Sequence, residues 1–222
     1  AIASLFGLAM TGDAFNLFVF LEISALSSIT LIALGAGQDR RALLAAYNYL
    51  IIGAIGATFY VIGVGYLYAA TGSLNLIDIT DRLNELGTNQ AAITGLAFML
   101  AGIMVKAGVF PVHIWLPAAY SYAPSAVSSL LAAVATKVAI YYFARLLFGI
   151  FIDITQLVDF FLLYILMPVS VLAIFYGTIA AIYQSDFKRL FALSSIAQIG
   201  YITFAFSLNS HSGISAGFIH II

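Results

Sequence analysis

MLAGIMVKAGVFPVHIWLP, residues 99–117, is an apolar run with Lys106 in its interior and Pro111 five residues later. The run opens at Ile93, and Ile93–Val112 has about the twenty residues that a helix needs to cross a hydrocarbon core of roughly 30 Å. Proline lacks the amide that would bond the carbonyl of Ala107. The helix is therefore predicted to break near Pro111 and to leave free carbonyls beside Lys106. Such carbonyls carry partial negative charge and favour a nearby ammonium. Broken helices at membrane depth line cavities rather than lipid.

Outward from this stretch the same pattern repeats. Ala14–Gly35, Leu43–Ala70, Ser125–Phe148, Gln156–Tyr183 and Leu190–Leu208 are apolar runs of spanning length. Of the 222 residues 64% are hydrophobic and 8% charged, with a mean hydropathy of +1.10. Soluble domains carry about a quarter charged residues, so a soluble globule is excluded. Eight Lys and Arg against nine Asp and Glu leave no basic surplus for a nucleic-acid partner. With no Cys, disulfides, thiolate zinc sites, iron–sulfur ligation and thiol catalysis are excluded together. Lipid offers backbone groups no partners and the runs lack strand-like alternation, so helices and not a β-barrel are expected. The fold class is an all-α, polytopic transmembrane helix bundle. The chain opens without Met inside Ala1–Met10 and stops inside Gly213–Ile222. It is read as one transmembrane domain over residues 1–222, a fragment of a longer chain, with no signal peptide at its start.

The loops give an orientation. Arg40, Arg41, Lys188 and Arg189 fall on one face and Arg82 and Arg145 on the other, which places the Arg40/Arg41 and Lys188/Arg189 loops in the cytoplasm. Trp115, Tyr120 and Tyr122 are expected to form an interfacial aromatic belt. Gly53, Gly56, Gly63 and Gly65 suit close helix–helix approach. In the long loop Thr71–Ala92, Ile79, Leu83 and Leu86 share one helical face and predict a short surface helix.

Three ionisable residues lie inside predicted spans: Glu22, Lys106 and Lys137. A central charge costs roughly 2.5–3.5 kcal/mol on insertion scales, so something must offset the three. A Glu22–Lys106 ion pair that joins two helices is one reading, but one acid cannot neutralise two bases. The other is a hydrated polar path for protons. Lysine suits a relay better than arginine, because desolvation can bring its titration within reach of neutral pH while guanidinium stays charged. Arg145 is expected to snorkel to the interface. His113 reads either as an interfacial histidine near Trp115 or as part of a proton path. His220 reads as a packed core histidine or as a shuttle, and His211 as a solvated loop residue. Haem ligation by His113 and His220 has no supporting spacing. No phosphate loop, HExxH, GxSxG or dinucleotide fingerprint occurs, so no cofactor, metal, redox or hydrolytic site is expected in this chain.

Three ordered motifs carry a family resemblance. They are residues 11–22 (TGDAFNLFVFLE), residues 106–117 (KAGVFPVHIWLP), and residues 123–128 (APSAVS) leading to Thr136-Lys137-Val138. With them the chain resembles the antiporter-like membrane subunits: the D-type subunit of Mrp-type cation/proton antiporters, and the proton-pumping subunits of complex I and membrane-bound hydrogenases. The resemblance implies a larger bundle of two inverted repeats, each with a broken helix, of which this chain holds the first repeat and the start of the second. It also implies a proton relay through Glu22, Lys106, Lys137 and His220, with Pro111 and His113 at the helix break. Ala118 and Ala119 depart from the acidic variants of their motif. The implied function is a proton-translocating subunit of a multisubunit Na+/H+ antiporter in the cell membrane, working with other membrane subunits, protons and sodium. The alternative is a membrane-arm subunit of an NADH:quinone oxidoreductase or membrane-bound hydrogenase. A third reading is an inert helical scaffold.

Overall fold

The computed structural model describes residues 1–86, 89–151 and 155–222. Among them every element is helical and the only strand pairing is a single bridge, Asp13 with Asn75. The helices are α1 (Ile2–Met10), α2 (Ala14–Ala33), α3 (Arg41–Thr71), α4 (Leu76–Leu86), α5 (Gln90–Ala107), α6 (Trp115–Tyr122), α7 (Ser125–Leu130), α8 (Thr136–Arg145), α9 (Thr155–Phe160), α10 (Met167–Ile182), α11 (Phe187–Ser207) and α12 (His211–Ile221). Six segments are long and apolar enough to cross a membrane: Ala14–Gly37, Arg41–Thr71, Gln90–Ala107, Ser125–Ile150, Val158–Ile182 and Phe187–Ser207. They coincide with the six runs read from the sequence. Large apolar side chains remain exposed along α2, α3 and α10, as lipid-facing surfaces require.

Antiparallel glycine pairs set the closest packing. A Cβ on Gly63 would lie 2.6 Å from Met99 Cγ, and one on Gly56 would lie 2.9 Å from Val105 Cβ. Gly95 and Gly102 face them from α5, so two backbones meet where any side chain would hold them apart. Gly53 and Gly65 do not share this role, since a Cβ on either would meet nothing within 4 Å. Gly177 and Gly200 close the α10–α11 contact in the same way.

The two ends of the bundle are tied differently. At one end Arg41 holds Asp39 and lies 4.8 Å over the Tyr122 ring, and Lys188 Nζ donates to the carbonyl of Ala123 at 3.0 Å. The Arg41 guanidinium beside it keeps the Asp39 carboxyl below the usual carboxylate range. At the other end Ala14 N donates to Leu74 O and Leu76 N to Gly12 O. There Arg145 Nη1 donates to the carbonyl of Thr11 at 2.7 Å. Arg145 therefore reaches the end of the bundle and bonds a carbonyl at the end of α1, where intrahelical donors are lacking. The short helix expected in the long loop is α4, with Leu76, Ile79 and Leu83 buried. The Leu86 side chain falls outside the described residues.

Two buried clusters form the core, one around α6, α7 and α11 and one around α3, α4, α5 and α8. Met104, Val138 and Phe148 pack against both.

Candidate functional site

The break falls where the sequence placed it, but glycine makes it. α5 ends at Ala107, and Gly108 caps it in the left-handed region with φ 71°. That conformation costs glycine nothing and lets the chain turn back on the helix end. Val109 N donates to Met104 O at 3.0 Å and Gly108 N to Val105 O at 3.2 Å. Trp115 Nε1, from the first turn of α6, donates to the same Val105 carbonyl at 2.9 Å. The carbonyls of Met104 and Val105 are thus occupied, whereas among the described residues those of Lys106 and Ala107 accept no hydrogen bond, as the sequence reading expects for Ala107. Pro111 sits in the connection, and Pro117, in the first turn of α6 where no amide is needed, interrupts nothing. Ala123 takes the extended conformation that a following proline favours, and α7 starts after Pro124.

Trp115 and Tyr120 are each 4% exposed and form an internal aromatic pair rather than part of a belt, whereas Tyr122 stays half-buried under Arg41 at the end of the bundle. The indole is consumed in closing the helix break, and its ring meets Tyr49 edge-on at 4.8 Å. The same Tyr49 is the partner of Lys106, whose Nζ donates to the phenol oxygen at 2.8 Å and lies 5.2 Å from the ring centroid. Two small recesses, each of about 10 Å³, adjoin Lys106. One is bounded by Leu21, Ala25, Gly53 and Gly102, the other by Tyr49, Gly53, Val105 and Trp115. Each approaches the least volume that one water occupies. Tyr49 carries no motif signal, since one phenol among many aromatics in an apolar run is unremarkable. Its role comes only from the antiparallel register of α3 and α5.

Glu22 lies on α2 between Leu21 and Ala25, the two residues of that helix that wall the Lys106 recess. It does not pair with the lysine. Among the described residues the ion pairs within 4 Å are Arg41–Asp39 and Arg82–Asp78, both outside the spans. The helix-joining Glu22–Lys106 ion pair is therefore not formed in this structure.

Lys137 follows a π-helical segment, Leu131–Ala135, that joins α7 to α8. A π turn absorbs one surplus residue, rotating everything downstream by about 100°, one residue's worth of α-helix. Ser125, Ser129 and Ala133 are exposed, Lys137 is half-buried and Tyr141 is exposed, so residues four apart stay on one open face along the whole helix. An uninterrupted α-helix would drift about 40° at each such step. No motif announces the π segment, which is a packing outcome.

Three other expectations are resolved by position. His113 is 5% exposed, stacked between Phe110 and Tyr176 at 5.2 and 5.1 Å, and its Nδ1 is buried without a partner. It is neither an interfacial histidine nor joined at both nitrogens to a hydrogen-bonded chain. His220 is exposed in this part of the protein, and its Nε2 meets Gln198 Oε1 at 2.8 Å. His211 opens α12 rather than standing in a loop, and it is exposed. The structure thus brings Lys106 together with Tyr49 and the Glu22 helix. Ser125 and Ser129, on the open face of Lys137, line one recess of about 600 Å³ together with Gln198, the partner of His220.

With the geometry in place, the comparisons give the family. The chain is 43% identical over its whole length to the N-type subunit of an NADH-quinone oxidoreductase from Desulforudis audaxviator, of which it covers 43%. It is 31% identical over its whole length to the D-type subunit of a Na(+)/H(+) antiporter from Bacillus subtilis, of which it covers 44%. It superimposes with a TM-score of 0.90 and 34% identity on a chain of the membrane-bound sulfane sulfur reductase, an archaeal respiratory membrane complex, covering 98% of this chain and 44% of that one. The chain spans less than half the length of the relatives it matches. A family model described as NADH:quinone oxidoreductase/Mrp antiporter, TM, matches residues 11–222, and the chain belongs to that family of membrane subunits.

Proposed function

We propose that the chain is part of a longer proton-translocating subunit of a multisubunit Na+/H+ antiporter in the cell membrane. Glu22, Lys106, Lys137 and His220 carry its protons, and the Arg40/Arg41 and Lys188/Arg189 loops face the cytoplasm. The observation that carries this reading is the placement of Lys106: an amine at a helix break inside a span, hydrogen-bonded to the Tyr49 phenol rather than to a carboxylate. A carboxylate at ion-pair distance would lock the proton on the amine, whereas a phenol positions the amine without fixing its charge. Two unit charges 4 Å apart interact by about 4 kcal/mol at an effective dielectric near 20. Approach of Glu22 therefore holds Lys106 protonated, and its withdrawal frees the proton to move over water toward Lys137.

A second reading has one observation in its favour. Identity to the quinone oxidoreductase relative is 43%, against 31% for the antiporter relative. In that reading the same relay serves a redox complex whose other subunits hold the cofactors. Purifying the native complex separates the two, since bound flavin or iron marks the redox assembly. The relay itself is tested by Glu22→Gln in the intact complex reconstituted in liposomes. Proton transport falls to background while the complex still assembles. Unchanged transport by this variant rejects the relay.

A further inference from the structure

A recess of about 260 Å³ opens between the connection after the helix break and the facing helices α10 and α11, lined by His113, Ser121, Tyr122, Tyr176 and Arg189 among others. It lies at the end of the bundle that carries Arg40, Arg41, Lys188 and Arg189. Among the described residues no acidic side chain lines it. Two carboxylates of the same loops are engaged elsewhere: Asp186 caps α11 by accepting from Arg189 N at 3.1 Å, and Asp39 is held by Arg41. Arg189 is exposed and, among the described residues, its guanidinium has no ion-pair partner. Arg41 adds positive charge 4.8 Å over the Tyr122 ring. At the back His113 Nδ1 is sealed, which leaves Nε2 as the ring atom able to meet a ligand. With its proton on Nε2, the neutral ring would donate to an acceptor in the recess.

The mouth of the recess is apolar. Ile114 is 73% exposed and Tyr176 45%, with Ile179 following Tyr176 on the same exposed side of α10. The recess is therefore donor-rich and cationic inside, and hydrocarbon-like at its rim. It falls just below the roughly 300 Å³ at which pockets for drug-sized molecules begin, and it is much too small for a helix of another protein. Basic pockets between membrane helices take anionic headgroups, and guanidinium matches phosphate geometry in particular.

We infer that this recess binds the phosphate of an anionic phospholipid, with Arg189 and Tyr122 on the phosphate, His113 Nε2 behind it, and the acyl chains along Ile114, Tyr176 and Ile179. The ligand chemistry is a phosphate ester, and its source is the bilayer rather than free phosphate.

The test is native mass spectrometry of the native membrane complex released from nanodiscs of phosphatidylglycerol mixed with phosphatidylcholine. The protein retains phosphatidylglycerol over phosphatidylcholine. Arg189→Gln lowers that retention at least tenfold and Arg189→Lys lowers it less. Arg40→Gln, which removes an exposed charge at the same end outside the recess, leaves retention unchanged. Tyr122→Phe gives a several-fold loss and serves if Arg189→Gln does not assemble. Equal loss in the Arg40 and Arg189 variants overturns the inference, as does equal retention of the two lipids. Displacement of the lipid by millimolar inorganic phosphate overturns the bilayer as the source. Cross-linking of a cysteine at Ser121 to another subunit, with no shielding by phosphatidylglycerol, overturns it in favour of a protein contact. Because none of these readings measures transport, failure here leaves the relay standing.

Discussion

Lys106 and Lys137 are the same residue type in the same bundle, yet the structure holds them in opposite ways. Lys106 stands at the end of a helix where a glycine cap and an indole satisfy the carbonyls of Met104 and Val105, with its amine bound to one phenol. Lys137 stands within a continuous helix, among the described residues it makes no hydrogen bond, and a π turn keeps it on the open face of Ser125, Ser129 and Tyr141. The first amine is fixed in position by its hydrogen bond, although both amines are half-buried. The second is fixed only in direction. Intramembrane charge is tolerated in either setting when water or a neutral donor–acceptor group shares its cost. A relay needs both kinds, one amine whose proton is gated and one that passes it on.

Of the two lysines, the one on the open face gives the largest expected effect. Lys137→Ala removes the amine from that face, and proton transport by the reconstituted complex is expected to drop to background with normal assembly. Transport that persists would reduce Lys137 to a solubilising residue and leave Lys106 to act alone. Tyr49→Phe comes next. It keeps the ring against Trp115 and deletes the acceptor of Lys106, a hydrogen bond to a charged group worth about 1.5–3 kcal/mol. Transport is expected to fall about tenfold, with a shifted pH profile, whereas a purely structural phenol would lower the melting temperature and leave the profile in place. The smallest effect belongs to deletion of Ala133. Removing one residue lets the π segment become α-helix, so both sides of it keep their faces. Transport is expected to stay within about twofold. Deletion of Ala126, outside the segment, turns Lys137 by about 100° and serves as the inactive control. Equal inactivity of the two deletions would mean that the π segment does not set the direction of Lys137.

The contrast also marks what sequence reading can reach. Spans were legible because the cost of burying an unbonded backbone in lipid leaves long apolar helices as the answer, and all six runs reappear within a few residues. The three intramembrane charges and the break were legible for the same reason, as departures that lipid penalises. Everything that depends on which helix faces which was not. Tyr49 becomes a partner of Lys106 only through the register of α3 against α5, which Gly56 and Gly63 set by meeting Gly102 and Gly95. Gly53, one turn away, looks identical in the sequence but opens a recess instead of closing a contact. Trp115 and Tyr120 read as belt residues because an aromatic after an apolar run usually meets water. Here the chain turns back at Gly108 and carries them inside. The π segment before Lys137 has no compositional signature at all.

The central claim is that Lys106 works by losing and regaining a proton, not by supplying fixed positive charge. Lys106→Arg in the assembled complex tests it most directly, because guanidinium keeps the charge and the capacity to bond Tyr49 but does not deprotonate in proteins. The account predicts an assembled complex whose proton transport has fallen to background. An arginine variant that transports protons at the rate of the unmodified complex would contradict it.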